Sequence, residues 1–398
     1  MGRTYSGSQS QDGSLNPLAV EDRLRKAVSK AGIPLFGIAS PDQPAHFDHF
    51  LKWLETGGQA GMAYLSRPDT VEKRRNPKSL MENTRSILVF GFPYPLNYVE
   101  PPPGSGGWGQ IAAYAGSRDY HTVLPERLGS LIPRFEEIIG QDIRYQIFTD
   151  SAPILERDLA RSAGLGWVGR NGCLISPDYG SGFLLAEMFC DVLLQPSQPF
   201  LPDRCGTCRR CVDACPTGCI NPDRTLDVNR CLSYLTIENK GPIPSALRDA
   251  AANHLFGCDV CQQVCPWNHT PHPRMIVPEI QSDRLHEWVN LLEVDQLSPD
   301  RFREQFEAYP VMRAKWKGFL RNAAVVLGNS GNQQTIPVLQ ALLDENPEAI
   351  VRAHAAWAIG KLARLSGSEP AREILTRRLS IETDITVREE IQQALHLG

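Results

Sequence analysis

The stretch "CGTCRRCVDACP", residues 205–216, holds four cysteines spaced C-x2-C-x2-C-x3-C and a proline directly after the last one. This spacing is typical of bacterial ferredoxins, whose cysteine thiolates bind four-iron four-sulfur clusters. In that pattern the first three cysteines bind one cluster, whereas the fourth binds the other cluster of the pair. The run therefore predicts a ferredoxin-like domain with two clusters, for which a second run has to supply the remaining thiolates.

A second cysteine run, "CDVCQQVCP", lies at residues 258–266. By the same crossing rule its last cysteine, Cys265, completes the first cluster. The second cluster then lacks one thiolate, and we assign Cys231 to it. We interpret Cys219, in the segment after Cys215, as a small packing residue. The predicted ligands are Cys205, Cys208, Cys211 and Cys265 for the first cluster and Cys215, Cys231, Cys258 and Cys261 for the second.

Zinc is the alternative metal for these cysteines, because it also binds C-x2-C pairs. Nine of the 11 cysteines lie between residues 205 and 265, which in a cytosolic protein favours metal or redox chemistry over disulfides. A zinc site does not need the complete ferredoxin spacing together with its partner run. We therefore favour two clusters over zinc.

The composition is that of an ordinary globular protein, with 42% hydrophobic and 22% charged residues among 398. The formal net charge of -4 gives no global basic field, so any contact with nucleic acid has to come from a local patch. Residues 1–16 are polar and predict a flexible tail, and no apolar run approaches the ~20 residues that a membrane helix needs. We expect a cytoplasmic protein without membrane contact.

Residues 17–198 alternate between helical and strand patterns, which predicts a layered α/β domain. Helices are predicted at 18–32, 121–140 and 152–166, and strands at 85–94, 143–150 and 182–194. The glycine- and proline-rich segment 101–109 predicts a loop. Residues 199–275 then form the predicted cluster domain.

Asp150 ends a predicted strand directly before a predicted helix, in "FTDSAPILERD". A carboxylate in this place commonly caps the following helix, with Ser151 as a rival cap. A catalytic acid would instead need a pKa raised from ~3.9 to near 7, which only burial provides. The residues alone favour capping.

Residues 276–398 read as an all-α, HEAT-like repeat domain. Ala-rich helical segments that end in glycine recur, in "FLRNAAVVLGNSG", "AHAAWAIGKLARLSG" and "TVREEIQQALHLG", as in a short α-solenoid. A scaffold without a ligand is one interpretation. A nucleic-acid surface is the other, because basic side chains that neutralise phosphates surround Trp316: Arg313, Lys315, Lys317 and Arg321.

These motifs together resemble the tRNA epoxyqueuosine reductases. The resemblance rests on the two cysteine runs with "CLSYLTIENKG" between them and "FLRNAAVVLGNSG" after them. In the N-terminal domain it rests on "GMAYLSRPDTVEKRRNP", "YAGSRDYH" and "FTDSAPILERDLARSAGLGWVGRNG". It covers nearly the whole chain beyond the polar tail.

The resemblance implies an enzyme that binds cobalamin in an α/β domain related to that of reductive dehalogenases, beside two four-iron four-sulfur clusters. Electrons from a low-potential donor, which the sequence does not identify, would pass through the clusters to cobalt. The cofactor would remove the epoxide oxygen of epoxyqueuosine at the wobble position of a tRNA anticodon, giving queuosine. We expect a monomer.

The resemblance also implies roles for particular residues. Asp150 matches the proton donor of the family, which reverses the preference for capping. The basic patch would hold the tRNA stem by its phosphates. Thr122 departs from the lysine common in the family, which puts in doubt a phosphate contact there. The positions that match motifs near the corrin are Arg74, Tyr114, Arg170 and Asn171, with Ser233 and Tyr234 expected between cofactor and cluster.

Two other classes of protein share some of these features. A reductive dehalogenase also combines cobalamin with clusters, but it usually carries an export signal and no HEAT-like tail. A non-catalytic electron carrier or adaptor would explain the clusters and the tail, but it would give the α/β domain no function. A corrin absorption band in the reconstituted protein would separate an enzyme from a carrier.

Overall fold

A computed structural model of the chain describes residues 17–96, 100–102, 106–269, 280 and 287–396. The predicted flexible tail, residues 1–16, lies outside the described residues, as does the centre of the predicted loop 101–109. In the described part of the chain, no helix combines the length and the apolar character that crossing a bilayer demands.

The N-terminal region contains one four-stranded sheet with helices on both faces. Its sheet is antiparallel throughout, in the order β1-β2-β7-β4. The predicted strands are confirmed as β2, β4 and β7. The elements are α1 (Pro17–Lys30), β1 (Leu35–Ala39), α2 (Phe47–Glu55), α3 (Pro68–Arg75), β2 (Ser86–Pro93), β3 (Trp108–Ile111), α4 (Tyr120–Gly129), α5 (Ile132–Ile139), β4 (Tyr145–Phe148), α6 (Glu156–Ser162), β5 (Trp167–Val168), β6 (Leu174–Ile175) and β7 (Phe183–Cys190).

The helix predicted at 121–140 is two helices, α4 and α5. Pro133 stands in the first turn of α5, where its missing N–H costs nothing. The residue before a proline is disfavoured in a continuing helix, so the chain breaks between Gly129 and Ile132. Both helices pack with α1 on one face of the sheet, and α6 packs on the other face.

The cysteine segment is folded from short elements around its two runs. These are α7 (Arg210–Ala214), α8 (Leu232–Ile237), α9 (Ser245–Arg248), β8 (His254–Phe256) and α10 (Val260–Gln263). Short helices leave many backbone N–H groups outside helical hydrogen bonds. Some of them point at cysteine sulfur, as the N–H of Cys219 does toward Cys215 over 3.4 Å.

The C-terminal region is helical after one strand, as the HEAT-like pattern predicts. Its elements are β9 (Trp288–Asn290), α11 (Pro299–Phe306), α12 (Lys315–Asn329), α13 (Ile336–Glu345), α14 (Ala349–Ser366), α15 (Glu369–Ile381) and α16 (Ile385–His396). Small residues bring the helices close: a side chain at Gly328 would meet Ala358, and one at Gly360 would meet Ala394. The sequence pattern missed α15, which is more polar than its neighbours.

A second sheet joins the three regions. Its order is β8-β3-β9, with β3 parallel to β8 and antiparallel to β9. Each strand comes from a different predicted domain. Side chains from these strands, including Ile111, Leu255 and Phe256, belong to the same apolar core as helices α12–α14. The three regions therefore share a sheet and an apolar core, and they are not separate domains joined by linkers.

The contact between β1 and α6 gives a test of this packing. An added Cβ at Gly37 would lie 2.0 Å from the backbone oxygen of Ala163, at the end of α6. Because backbone cannot rotate away, we expect Gly37→Ala to lower the free energy of unfolding by about 1–3 kcal/mol. Gly129→Ala is the matched control, since nothing lies within 4 Å of its added methyl group. Urea unfolding that ranks the two variants equal would contradict this packing.

Candidate active site and cysteine clusters

Asp150 lies in the turn between β4 and α6, in the left-handed backbone conformation with φ +48°. Its carboxylate accepts a hydrogen bond of 3.0 Å from the hydroxyl of Tyr120. The Nε2 atom of His121 is 3.9 Å from the same carboxylate. The backbone N–H of Asp150 donates to the carboxylate of Glu156 over 2.6 Å. A phenol, an imidazole and two carboxyl groups thus meet at one point.

Asp150 does not cap α6. The helix begins at Glu156, and Leu155 in the cap position makes no side-chain cap. Capping, which the residues alone favoured, is therefore wrong. The side chain of Asp150 is 70% exposed, so water reaches this carboxyl group in the chain alone.

Burial changes the pKa of several groups around Asp150. It raises the pKa of Glu156 to about 7, with the charge of Asp150 adding to the effect. Burial and the same charge raise the pKa of Tyr120 and of Tyr114 far above their usual range. The hydrogen bond to Asp119 raises the pKa of His121. Neutral phenols and a partly protonated carboxyl group therefore surround an exposed carboxylate.

A cavity of about 230 Å³ opens beside Asp150, between the α/β region and the second cysteine run. Asp150, Glu156, Cys173 and Gln262 all line it. Cys261, a predicted cluster ligand, lowers the pKa of the Cys173 thiol. The remaining lining is Tyr94, Tyr120, Arg157, Leu174, Ser181, Phe183, Leu184 and Leu185.

The cysteines predicted for the first cluster meet as predicted. Cys205, Cys208, Cys211 and Cys265 line one cavity of about 70 Å³. The indole N–H of Trp167 is 3.4 Å from the sulfur of Cys205. Trp167 also stacks on Phe200 and meets Trp267 edge-on, at ring-centroid distances of 5.7 and 5.0 Å. Aromatic rings therefore shield this group of thiols on one side.

The cysteines predicted for the second cluster also lie close to one another. Burial raises the pKa of Cys258 to about 12, and the charges of Cys231 and Cys215 add to the effect. The charge of Cys231 reaches Cys261 as well. The Cys219 sulfur lies 3.5 Å from the sulfur of Cys215, and its thiol is hydrogen-bonded to Cys231. Cys219 is thus buried, as expected of a packing residue, but it packs against two predicted ligands.

Of the predicted corrin contacts, Arg74 and Tyr114 lie near the Asp150 cavity. Tyr114 meets Tyr120 at a ring-centroid distance of 6.2 Å. Arg74 is buried, and the charge of Glu156 acts on its guanidinium. One of its N–H groups donates to the backbone oxygen of Thr70. Neither side chain lines the cavity itself.

The other four predicted contacts lie elsewhere. Arg170 and Asn171 line the cavity of the first cysteine group, not the Asp150 cavity. The Nε atom of Arg170 and the Nδ2 atom of Asn171 are buried and have no hydrogen-bond acceptor among the described residues. Tyr234 accepts a hydrogen bond of 2.9 Å from the backbone N–H of Gly61. Ser233 adjoins it on α8, next to Cys231.

The predicted basic patch keeps three of its four members at the surface. Arg313 pairs with Glu238 at 2.6 Å and acts electrostatically on Tyr64 and His121 beside Asp150. Lys317 lies 3.7 Å from Glu348, and Lys315 is exposed. This patch therefore continues to the edge of the active-site region.

Arg321 does not belong to this surface, which corrects the prediction. Its side chain is 1% exposed. It donates to the backbone oxygens of Leu235, Asn239 and Gly241, all in the cysteine segment. Trp316 is also engaged, since its indole N–H donates to Leu297 and its ring packs on the helical core. Arg321 therefore fixes the helical region to the cysteine segment.

Sequence reasoning missed several residues of the cavity. Glu156 stands in the quoted motif six residues after Asp150, at the start of a helix, where an acid is commonplace. Cys173 lies outside both ferredoxin runs. Tyr120 precedes His121 within "RDYH", so its place in that motif was a usable signal. Nothing in the local sequence signals Gln262 as a cavity residue.

One cavity thus combines a carboxyl group with a thiol, and it adjoins a ferredoxin-type segment that is followed by a helical repeat region. These features define an oxidoreductase with an iron–sulfur domain. Comparisons with known families agree. Residues 204–268 match the 4Fe-4S double cluster binding domain, and residues 317–396 match HEAT repeats. Residues 74–151, which contain Asp150, match the family described as Epoxyqueuosine reductase QueG, DUF1730.

Whole-chain comparisons agree with these matches. The epoxyqueuosine reductase of Xanthomonas campestris is 34% identical to this chain, over 87% of this chain and 97% of the relative. The epoxyqueuosine reductase of Pseudomonas aeruginosa is 35% identical, over 86% of this chain and 95% of the relative. The chain belongs to the epoxyqueuosine reductases.

Solved structures show the same architecture. A crystal structure of epoxyqueuosine reductase with an epoxyqueuosine-modified tRNA-Tyr stem loop matches with a TM-score of 0.87 and 30% identity, over 96% of this chain and 99% of that one. The Bacillus subtilis enzyme, with its catalytic aspartate loop swung out of the active site, matches with a TM-score of 0.84 and 30% identity, over 96% and 100%. The relation to reductive dehalogenases stays a prediction.

Proposed function

We propose that this chain reduces epoxyqueuosine to queuosine in the anticodon loop of a tRNA, with a cobalamin at the Asp150 cavity and two four-iron four-sulfur clusters. One observation carries the proposal: the same cavity is lined by the exposed carboxyl group of Asp150 and by Cys173, whose pKa the predicted cluster ligand Cys261 lowers. A proton donor and a thiol next to the second cysteine run thus meet in one space. The likeness to an enzyme solved with a modified stem loop supports the choice of substrate.

The cysteine groups fit two clusters in the chemistry of their donors. Each group offers four thiols in the predicted combination, and hydrogen-bond donors point at sulfur in both, as at Cys205 and Cys215. Hydrogen bonds to the sulfurs tune the potential of such clusters. In the described part of the chain no three metal-binding side chains converge on one point. A four-iron cluster instead binds one thiolate at each of its iron atoms, so its thiolates stand further apart.

The Asp150 cavity fits part of a corrin. Leu174, Phe183, Leu184 and Leu185 give it an apolar wall, and a few carboxyl, phenol and amide groups give polar contacts, which is the usual mixture in cofactor sites. Its 230 Å³ is below the roughly 300–1,000 Å³ of typical ligand pockets. Only part of a corrin would therefore lie within it, and the rest would have to contact residues near the cavity, such as Tyr114 and Arg74.

Removal of the epoxide oxygen as water consumes two electrons and two protons. When bound, the clusters and the corrin would supply the two electrons that break the carbon–oxygen bond. The chain has to supply the protons. Asp150 is placed for the first of them, because its carboxyl group projects into the cavity and takes a hydrogen bond from Tyr120.

The exposure of Asp150 explains how its acidity would depend on the substrate. A carboxyl group that is 70% exposed is solvated by water. A nucleotide that covers it would remove that water and favour the protonated form. Binding of the substrate nucleotide would thus turn Asp150 into a proton donor.

The substrate RNA would approach along the surface of the helical region. Arg313 stands at the edge of the active-site region, and Lys315 and Lys317 continue the positive charge on α12. Cations on such a surface bind phosphates without reading the base. Selection of the modified nucleotide would come from the cavity, which an unstacked base can enter.

Anaerobic turnover of epoxyqueuosine tRNA, with added cobalamin and a strong reductant, tests the function. We expect queuosine from the wild type and about a 10²–10⁴-fold lower rate from Asp150→Asn, because an amide cannot give up a proton. Asp142→Asn, which changes an exposed carboxylate before β4, is the matched control and should leave the rate unchanged. Nucleoside mass spectrometry measures the product. Full activity of Asp150→Asn would remove this residue from the mechanism, and no queuosine from the wild type would refute the function.

Iron content tests the ligand assignment. Two four-iron clusters predict about eight iron atoms per reconstituted chain. Cys231→Ser should lower this number to about four, because it removes a predicted ligand of the second cluster. Cys219→Ser should leave it near eight, since Cys219 packs against ligands and is not one of them. The opposite ranking of these two variants would exchange the roles of the two cysteines, and zinc in place of iron would refute both clusters.

Charge reversal tests the RNA surface. We expect Lys315→Glu with Lys317→Glu to weaken binding of a tRNA stem loop and to lower the slope of log affinity against log salt by about 0.7–0.9 for each phosphate that the variant no longer neutralises. Lys26→Glu with Lys30→Glu on α1 is the control, since both lysines are exposed on the α/β region. Fluorescence anisotropy at several salt concentrations measures both quantities. Equal slopes for the two double variants would show that the patch does not bind RNA.

A further inference from the structure

The proposed reaction leaves one proton without a source. Asp150 carries a single proton, and water formed from the epoxide oxygen needs two. The second proton comes either from bulk solvent or from another group of the chain. The case for a source within the chain rests on the proposed function.

Glu187 is a buried acid that nothing in the proposed mechanism uses. It lies in the middle of β7, opposite Val89 of β2 and Phe148 of β4, and its exposure is 0%. Neither of its carboxyl oxygens accepts a hydrogen bond from a donor in the described part of the chain. A fully ionised carboxylate in this position would lose its hydration without compensation, at a cost of several kcal/mol.

The group that Glu187 meets is another carboxyl group. Glu187 alternates along β7 with Leu185 and Phe189, which pack on the α6 side of the sheet, and Glu156 stands in the first turn of α6. The charge of Glu156 raises the pKa of Glu187, because two carboxylates that face each other away from water repel, which favours the protonated form of one of them. The pair therefore holds at least one proton near neutral pH.

Glu156 connects this pair to the cavity. It lines the same cavity as Asp150 and accepts the backbone N–H of Asp150 over 2.6 Å. Glu187 is sealed from solvent behind it. A proton held by the pair therefore has one exit in this arrangement, through Glu156 toward the cavity.

We propose that Glu156 and Glu187 share a proton and supply it to Asp150 during turnover. Asp150 first protonates the epoxide oxygen as two electrons, which the bound cofactors would supply, break one carbon–oxygen bond; this gives an alcohol and leaves an electron pair on the neighbouring carbon. The carboxylate of Asp150 then takes the proton of the pair. It passes this proton to the hydroxyl group, which leaves as water when the second carbon–oxygen bond breaks and the electron pair forms the carbon–carbon double bond. Solvent returns both protons after the product has left.

The pair sets the direction of the expected pH dependence. Burial raises the pKa of Glu156 to about 7 and that of Glu187 well above its usual range. The shared proton is therefore present at and below neutral pH, and it is lost as the pH rises through the higher of the two pKa values of the pair. The charged and titratable groups that face the pair are Asp150, Arg157, His121, Tyr120 and Arg74.

The pH profile of epoxyqueuosine reduction tests the pair with Glu187→Gln. A carboxamide cannot share a proton, and its N–H₂ group donates to Glu156 and so favours the ionised form. We expect the fall in rate to begin at least one pH unit lower than in the wild type, with the rate at pH 7 lowered about tenfold or more. Asp158→Asn is the control. It changes another buried carboxylate on α6, which pairs with His46, and should keep the wild-type profile.

Infrared titration gives a second measurement that needs no activity. The wild type should show the carbonyl stretch of a protonated carboxyl group at pH 7, and Glu187→Gln should lose it while Asp158→Asn keeps it. A wild type that makes no queuosine refutes the proposed function, and the infrared band then decides on the pair alone. Absence of the band in the wild type, or an equal loss of rate at every pH in Glu187→Gln, would overturn the proposal.

Discussion

The backbone hydrogen bonds of β3 join the three regions of the chain next to the Asp150 cavity. Gln110 donates to Asn253 over 2.7 Å, and the next residues continue the pairing with β8 and β9. Directly after the strand, the N–H of Ala113 donates to the buried carboxylate of Asp259 over 2.7 Å. Asp259 lies between the first two cysteines of the second run. This short segment thus fixes the cysteine run against the α/β region, on which the shape of the cavity between them depends.

The same pairing explains why the helical tail matters to a site that it does not enclose. Its first strand, β9, completes the sheet, and Arg321 from α12 satisfies three backbone oxygens of the cysteine segment. Loss of the Arg321 side chain would be costly, because it would leave these buried backbone oxygens without a hydrogen-bond donor. The tail therefore supports the cysteine segment, while Arg313, Lys315 and Lys317 on its outer surface stay exposed.

Local patterns predicted the parts of this molecule that depend on local chemistry. Ferredoxin spacing located the two cysteine groups, and β-rich runs located β2, β4 and β7, because each pattern reports a short-range requirement. Contacts between residues that are far apart in the sequence could not be predicted from such local patterns. Arg321 looked like a surface cation because its acceptors lie about 80 residues away. Glu187 was hidden in an apolar strand, where a lone acid among hydrophobic residues was the available signal.

The arrangement of the cavity separates protons from thiolates. Cluster ligands have to remain deprotonated, since the thiolate and not the thiol binds metal. A proton donor placed among them would compete with iron. Here the carboxyl groups of Asp150 and Glu156 belong to the turn and helix after β4, whereas Cys173 and Gln262, which line the same cavity, belong to other segments. Cys173 interacts with Cys261, a predicted cluster ligand. In the proposed reaction the protons would therefore come from the segment after β4 and the electrons from the cysteine segment, so that the two are supplied by different parts of the chain.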